Sequence, residues 1–158
     1  EATTEQPNYG FLVQRGDHPV ADKAGAWPVR GSGNALMFAA FDGTTYWSQW
    51  SYDLEITDTD WHHVAVTYDA VTEDLVFYVD EQVHDSGFSW TPVANTDPLL
   101  IGAHMVNGVV DSTFDGQIDE LRITGRALSR EELLDHWRGL FSDGFESGDT
   151  SSWSGTVS

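Results

Sequence analysis

Apolar residues recur along this chain in short runs with a period of two, separated by turn residues, which is the pattern of an all-β domain. The first run is Phe11-Leu12-Val13-Gln14, closed by the Gly-containing turn Arg15-Gly16-Asp17. Pro19, Gly25, Pro28, Gly31 and Gly33 punctuate the next stretch, which reads as a loop interrupted by one short strand through Trp27. Ala35 to Phe41 is apolar and of strand length, and the Asp42-Gly43 that follows predicts a hairpin with Thr44 to Tyr52 as its second strand. Strict alternation on that strand puts Tyr46, Ser48, Trp50 and Tyr52 on one face and Thr45, Trp47, Gln49 and Ser51 on the other.

Trp61 to Tyr68 alternates so that Val64, Val66 and Tyr68 face a core, and it is expected as a central strand. Asp69 to Asp74 turns the chain, Leu75 to Val79 returns it, and Asp80-Glu81 turns it again into Gln82 to His84. Glu81 is ill suited to a positive φ, so this second turn is expected to be longer or differently shaped than the common two-residue one. Leu99 to Gly102 is a strand, a loop rich in Gly, Val and Asn follows, and Phe114 to Thr124 is the last strand. Ser129 with Glu132 forms a capping box, and Leu133, Leu134 and Trp137 supply the apolar stripe of one short helix ending near Gly139. The composition then shifts to Ser, Gly and Asp, so residues 139–158 read as a C-terminal tail whose Phe141, Phe145 and Trp153 suit it to dock on something.

Composition narrows the function. A chain of 158 residues with 40% apolar content suffices for one core and contains no apolar stretch long enough to cross a bilayer, so no membrane insertion is expected. Twenty-six acidic against seven basic side chains give a net charge of -19, which repels phosphate backbones and removes nucleic acid from the expected partners. The absence of cysteine excludes a disulfide scaffold, a thiolate metal site and a Cys nucleophile. It also points to a bacterial or archaeal source rather than an extracellular animal one.

Four motifs follow one another in fixed order: W-H-H-V-A-V-T-Y-D at 61–69, L-V-F-Y-V-D at 75–80, P-L-L-I-G at 98–102 and F-D-G-Q-I-D-E-L-R-I-T-G-R-A-L-S at 114–129. Together they resemble the laminin G-like branch of the concanavalin A-like lectin superfamily. The resemblance implies an all-β, two-sheet antiparallel jelly-roll sandwich over residues 1–138 with one short C-terminal helix. It also implies a secreted or cell-surface recognition module, of bacterial origin, that binds a glycan or a protein surface ligand. The alternative is a structural or assembly module of a surface layer, fibre or adhesin, and a glycoside hydrolase is the remote one. Members of the family place further strands before the Phe11 equivalent, so the first strands are expected to be supplied by an upstream segment of the same polypeptide or by a neighbouring subunit.

Chemistry-bearing residues fall into three groups. Sandwich glycosidases align two carboxylates along one strand face, and no such string occurs here, since Glu55 with Asp58 and Asp119 with Glu120 lack the spacing; no catalytic residue is expected. Calcium suits the carboxylates of the rim turns, Asp17, Asp42, Asp111, Asp115 and Asp119. Ala103, His104 and Met105 stand where a pentraxin-like calcium site would have ligands, which argues against that variant. Carbohydrate binding points to Tyr46, Trp50 and Tyr52, whose ring faces stack on sugar C–H surfaces. The same stripe is what a core-facing strand shows, and the core reading weighs more; on that reading binding moves to the rim loops around Trp27, His104 and Asn107. Calcium at millimolar concentration is expected to raise the melting midpoint over that in EDTA, and magnesium to raise it less; coincident midpoints would remove the ion.

Overall fold

The computed structural model describes residues 10–16, 26–30, 35–41, 45–87, 89 and 96–142. The strands in order are β1 (Gly10–Phe11), β2 (Val13–Arg15), β3 (Ala26–Arg30), β4 (Ala35–Phe41), β5 (Tyr46–Glu55), β6 (Val64–Asp69), β7 (Asp74–Val79), β8 (Gln82–Asp85), β9 (Leu99–Ile101), β10 (Ala103–Val106) and β11 (Val109–Thr113), followed by helix α1 (Arg130–Ser142). The chain divides into two compact units, Glu1–Ala127 with the strands and Leu128–Ser158 with α1. In the first, β1-β3-β4-β5 form one antiparallel sheet and β6-β7-β8 another, with β2-β9 and β10-β11 as two-stranded ladders. This is the antiparallel jelly-roll sandwich that the laminin G-like resemblance implies.

The main core lies between the two larger sheets. Leu75, Phe77 and Val79 alternate inward along β7 and meet Leu36, Phe38 and Ala40 of β4 and Leu54 and Ile56 from the end of β5. Leu12, Val64, Val66 and Tyr68 pack at its margin. Each large apolar side chain buried there contributes about 1.5–3 kcal/mol. The opposite face of β4 is covered too, because Met37 and Ala39 cluster with Phe11 and Trp50. A strand buried on both faces has no polar side to alternate, which is why Ala35 to Phe41 reads as an unbroken apolar run.

The ladder between β4 and β5 changes register in its middle. It runs regularly from Phe41↔Tyr46 to Met37↔Trp50 and resumes at Ala35↔Glu55. Leu36 alone therefore faces residues 51–54, an excess of three. The Leu36 N–H donates to Ser51 Oγ at 2.9 Å, and the same hydroxyl reaches Leu54 O at 3.4 Å. Ser51 is fully buried. An odd excess swaps the faces of the strand: before the break the even positions oppose Met37 and Ala39, and after it Leu54 and Ile56 enter the main core. The expectation that Tyr46, Ser48, Trp50 and Tyr52 alternate on one face thus holds only as far as Trp50.

A second polar side chain joins elements distant in sequence. The chain leaves one ladder for another at Leu12, whose carbonyl accepts Gly102 N–H at 2.8 Å. Two residues on, the buried Gln14 amide donates to Gly16 O at 2.9 Å and Met105 O at 3.1 Å and accepts Met105 N–H at 2.6 Å. It stands in for a strand partner beside the register shift between His104 and Met105.

Four expectations are corrected. The stretch after Gly102 is a hairpin rather than a loop, because Asn107 and Gly108 both take positive φ (51° and 77°) between Val106 and Val109, the combination a two-residue primed turn requires. Phe114 to Thr124 is not a strand. Phe114 N–H bonds to Gly102 O at 2.8 Å, but beyond it the described residues carry only a single bridge, at Gly116, and the positive φ of Glu120 (51°) breaks the extended path. The strand predicted from Trp61 begins at Val64 and lies at a margin of its sheet, where β7 is central. The Asp80-Glu81 turn is two residues long rather than longer, while Glu81 avoids a positive φ as expected; the positive φ falls on Asp80 (53°), which tolerates that conformation better than Glu.

The Ser129–Glu132 capping box forms as read: Ser129 Oγ accepts Glu132 N–H at 3.2 Å, and Glu132 Oε2 accepts Ser129 N–H at 2.9 Å. α1 continues to Ser142, past the expected end at Gly139. Among the described residues no helix is long and apolar enough to cross a membrane.

Replacing Ser51 with Ala leaves the Leu36 N–H without its buried acceptor, and urea unfolding is expected to show a loss of about 1–3 kcal/mol. Ser48→Ala, on the exposed part of the same strand, serves as the control and is expected to change stability by less than about 0.5 kcal/mol. Equal effects of the two substitutions would contradict a structural role for the Ser51 hydroxyl.

Candidate functional site

The strand break sorts the aromatic residues of β5. Trp50 lies directly across from Met37 and packs on Phe11, Met37 and Ala39, so one side of its ring is held by the sheet. Tyr52, inside the bulge, stacks beside it with centroids 6.3 Å apart and the planes inclined by 25°. Tyr52 is 70% exposed and Tyr46, across from Phe41, 46% exposed. The reading of this stripe as core therefore fails for both tyrosines and holds in part for Trp50. A supported indole with an exposed phenol stacked beside it is an aromatic platform.

His104 belongs to the same side of the molecule as Phe11, with the two rings stacked flat at 3.8 Å and 3°. Its position is set by β10, where Gln14 holds the neighbouring Met105. Asn107, expected at a binding rim, supplies the first positive-φ position of the β10–β11 turn and is exposed. Trp27 pairs in register with Ala39, and its side chain lies outside the described residues.

Of the five carboxylates expected at a calcium site, Asp115 and Asp119 have described side chains. Asp17 and Asp42 lie outside the described residues, as does the side chain of Asp111 in β11. Asp115 is exposed, and Asp119 Oδ1 accepts the N–H of Glu120 at 2.8 Å. Among the described residues no three His, Asp or Glu side chains approach closely enough to hold a metal ion. Glu55 is exposed at the end of β5, and Asp58, its suggested companion, is engaged elsewhere.

That engagement is a cluster that periodicity does not disclose. His62 Nε2 lies 2.8 Å from Asp58 Oδ1, and its Nδ1 lies 2.8 Å from Asp80 Oδ2. Asp80 also accepts the His63 N–H at 2.9 Å and donates its own N–H to His63 O at 2.8 Å. The hairpin register explains the meeting: Val64↔Val79 places residue 63 opposite residue 80, at the mouth of the β7–β8 turn. A ring with an ionised carboxylate at each nitrogen donates to both in its protonated, imidazolium form. A second pair, His84 Nδ1 to Asp53 Oδ2 at 2.9 Å, ties β8 to the bulge of β5.

Burial disfavours the charged form of His62, but the hydrogen bonds and charges of Asp80 and Asp58 outweigh it and raise its pKa above 6.5. The folded state thus holds the proton more tightly than the unfolded chain. The stabilisation is complete below about pH 6.5 and is lost as pH rises through the folded-state value. Thermal melts above pH 6.5 are expected to show the midpoint falling in that window and His62→Gln to flatten that slope; an unchanged slope in His62→Gln would contradict the assignment.

Comparison with known proteins agrees with the architecture. A family profile described as the Concanavalin A-like lectin/glucanases superfamily, a laminin G-type family, matches residues 5–134. No curated protein and no solved structure matches the chain.

Proposed function

We propose that this chain, which belongs to the Concanavalin A-like lectin/glucanases superfamily, is a non-catalytic extracellular recognition module that binds saccharides on the face of Trp50 and Tyr52. The observation that carries this reading is the exposure of Tyr52 in ring contact with a Trp50 that the sheet holds in place. An aromatic side chain needed for packing gains its stabilisation by burial, and Tyr52 forgoes most of it. Sugars present C–H faces of matching size, and Ser48, on the same face of the strand as Trp50, offers a hydroxyl to them. A binding rather than catalytic role is supported by the sequence, which lacks the aligned carboxylate pair of the sandwich glycosidases, and by the engagement of Asp58 with His62.

A second reading, assembly into a larger surface structure, is favoured by one observation. Leu99 and Ile101 on β9 are exposed, as are Leu121 (42%) and Ile123 (66%) in the segment that carries strand-like alternation without a ladder. Apolar residues so placed suit a protein contact.

Tyr52→Ala is expected to change unfolding free energy by less than about 0.5 kcal/mol while abolishing retention on insoluble polysaccharide or a glycan array. Trp50→Ala is expected to lose retention as well and, through its packing on Met37, about 2 kcal/mol of stability. Undiminished glycan retention by a folded Tyr52→Ala would overturn the platform, and concentration-dependent self-association with no glycan retained would favour assembly.

A further inference from the structure

The distribution of charge along the chain says which saccharides this face can take. Between Gly31 and Leu121 there is no Lys or Arg, and there are sixteen Asp or Glu. That stretch supplies every strand from β4 to β11, and so all of β5 and its aromatic residues, while β3 of the same sheet ends at Arg30, one strand further away in register with Leu36. Recognition of sulfate or carboxylate relies on guanidinium or ammonium groups placed against the anion. The histidines of the stretch do not replace them: His62 is held between Asp58 and Asp80, His63 stands beside the β7–β8 turn away from the sheet of β5, His84 bonds Asp53, and His104 stacks on Phe11. The net charge of -19 adds a long-range field that repels polyanions before contact.

The same arrangement attracts cations to the platform itself. Asp53 follows Tyr52 directly in the bulge, its carboxylate is exposed, and His84 fixes one of its oxygens at 2.9 Å. Consecutive Cα atoms are about 3.8 Å apart, so the Asp53 charge is carried within about one screening length, about 8 Å at physiological salt, of the Tyr52 backbone. The faces of Trp50 and Tyr52 are themselves favourable to a cation within about 6 Å of the ring centroid.

Resting on the platform reading above, we propose that the Trp50–Tyr52 face selects saccharides bearing protonated amines, chains of glucosamine type, and rejects sulfated and uronate glycans. The aromatic pair supplies the stacking surface common to any sugar. The exposed Asp53 carboxylate supplies the discrimination.

The test is calorimetric titration of the whole chain with two oligosaccharides of equal length, β-linked glucosamine with free amines and its fully N-acetylated counterpart, together with heparin. The pH is set where the amines are protonated. At low salt the free-amine chain is expected to bind at least about tenfold more tightly than the acetylated one, with the gap closing as salt is raised and heparin not bound. Asp53→Asn is expected to narrow the gap, and Tyr52→Ala to lower free-amine affinity by about tenfold. Equal affinities for the two chains would overturn the amine preference and leave the platform standing. Binding of heparin would also overturn it, as would free-amine binding indifferent to Tyr52→Ala, which would show diffuse attraction rather than a site. Retention of none of the three ligands would remove the platform reading and this inference together.

Discussion

The arrangement of this molecule depends on one hydroxyl group in the middle of a sheet. Ser51 Oγ takes the Leu36 N–H that the strand ladder leaves without a backbone partner, and so permits three extra residues in β5 opposite a single residue of β4. Without that acceptor the break would bury an unpaired donor, at a cost comparable to a lost hydrogen bond. With it, β5 serves two faces: Trp50 lies on the Phe11–Met37–Ala39 cluster, while Leu54 and Ile56 complete the core against β7. Tyr52 and Asp53 are the residues that the bulge leaves outside both.

Local chemistry made much of this fold legible. The Asp69–Asp74 turn, the alternation of β6 and β7 and the Ser129–Glu132 capping box are signals whose cause lies within a few residues, and each forms as read. The β10–β11 hairpin carried such a signal as well, Asn107-Gly108 between Val106 and Val109, the dipeptide that a primed turn favours. Reading that stretch as a loop gave its composition more weight than this dipeptide.

What was not legible depends on pairing between distant segments. Alternation predicts which residues share a face only while the register is unbroken, and nothing in S-Q-W-S-Y-D marks Ser51 as a bulge residue until β4 is placed beside it. Gln14 offers the same lesson, since its amide is meaningful only once β10 presents both backbone groups of Met105 to it. The Ile118 to Thr124 segment errs in the other direction. Its residues have strand propensity, but a strand exists only where a ladder partner does, and the described residues provide none. At the candidate site the aromatic residues were visible in the sequence, but whether they were buried was not. The Asp58–His62–Asp80 and Asp53–His84 pairs required the β6–β7–β8 hairpins to bring them together.

Because the chain contains no cysteine, the bulge can be tested by single substitutions to Cys at positions 51, 52, 53, 54 and 56, with each folded variant exposed to a soluble thiol reagent. A bulged β5 predicts fast labelling at 52 and 53 and protection at 51, 54 and 56. A regular strand would place positions 52 and 54 on the same face, so equal labelling of those two would contradict the register break and with it the outward placement of the aromatic pair.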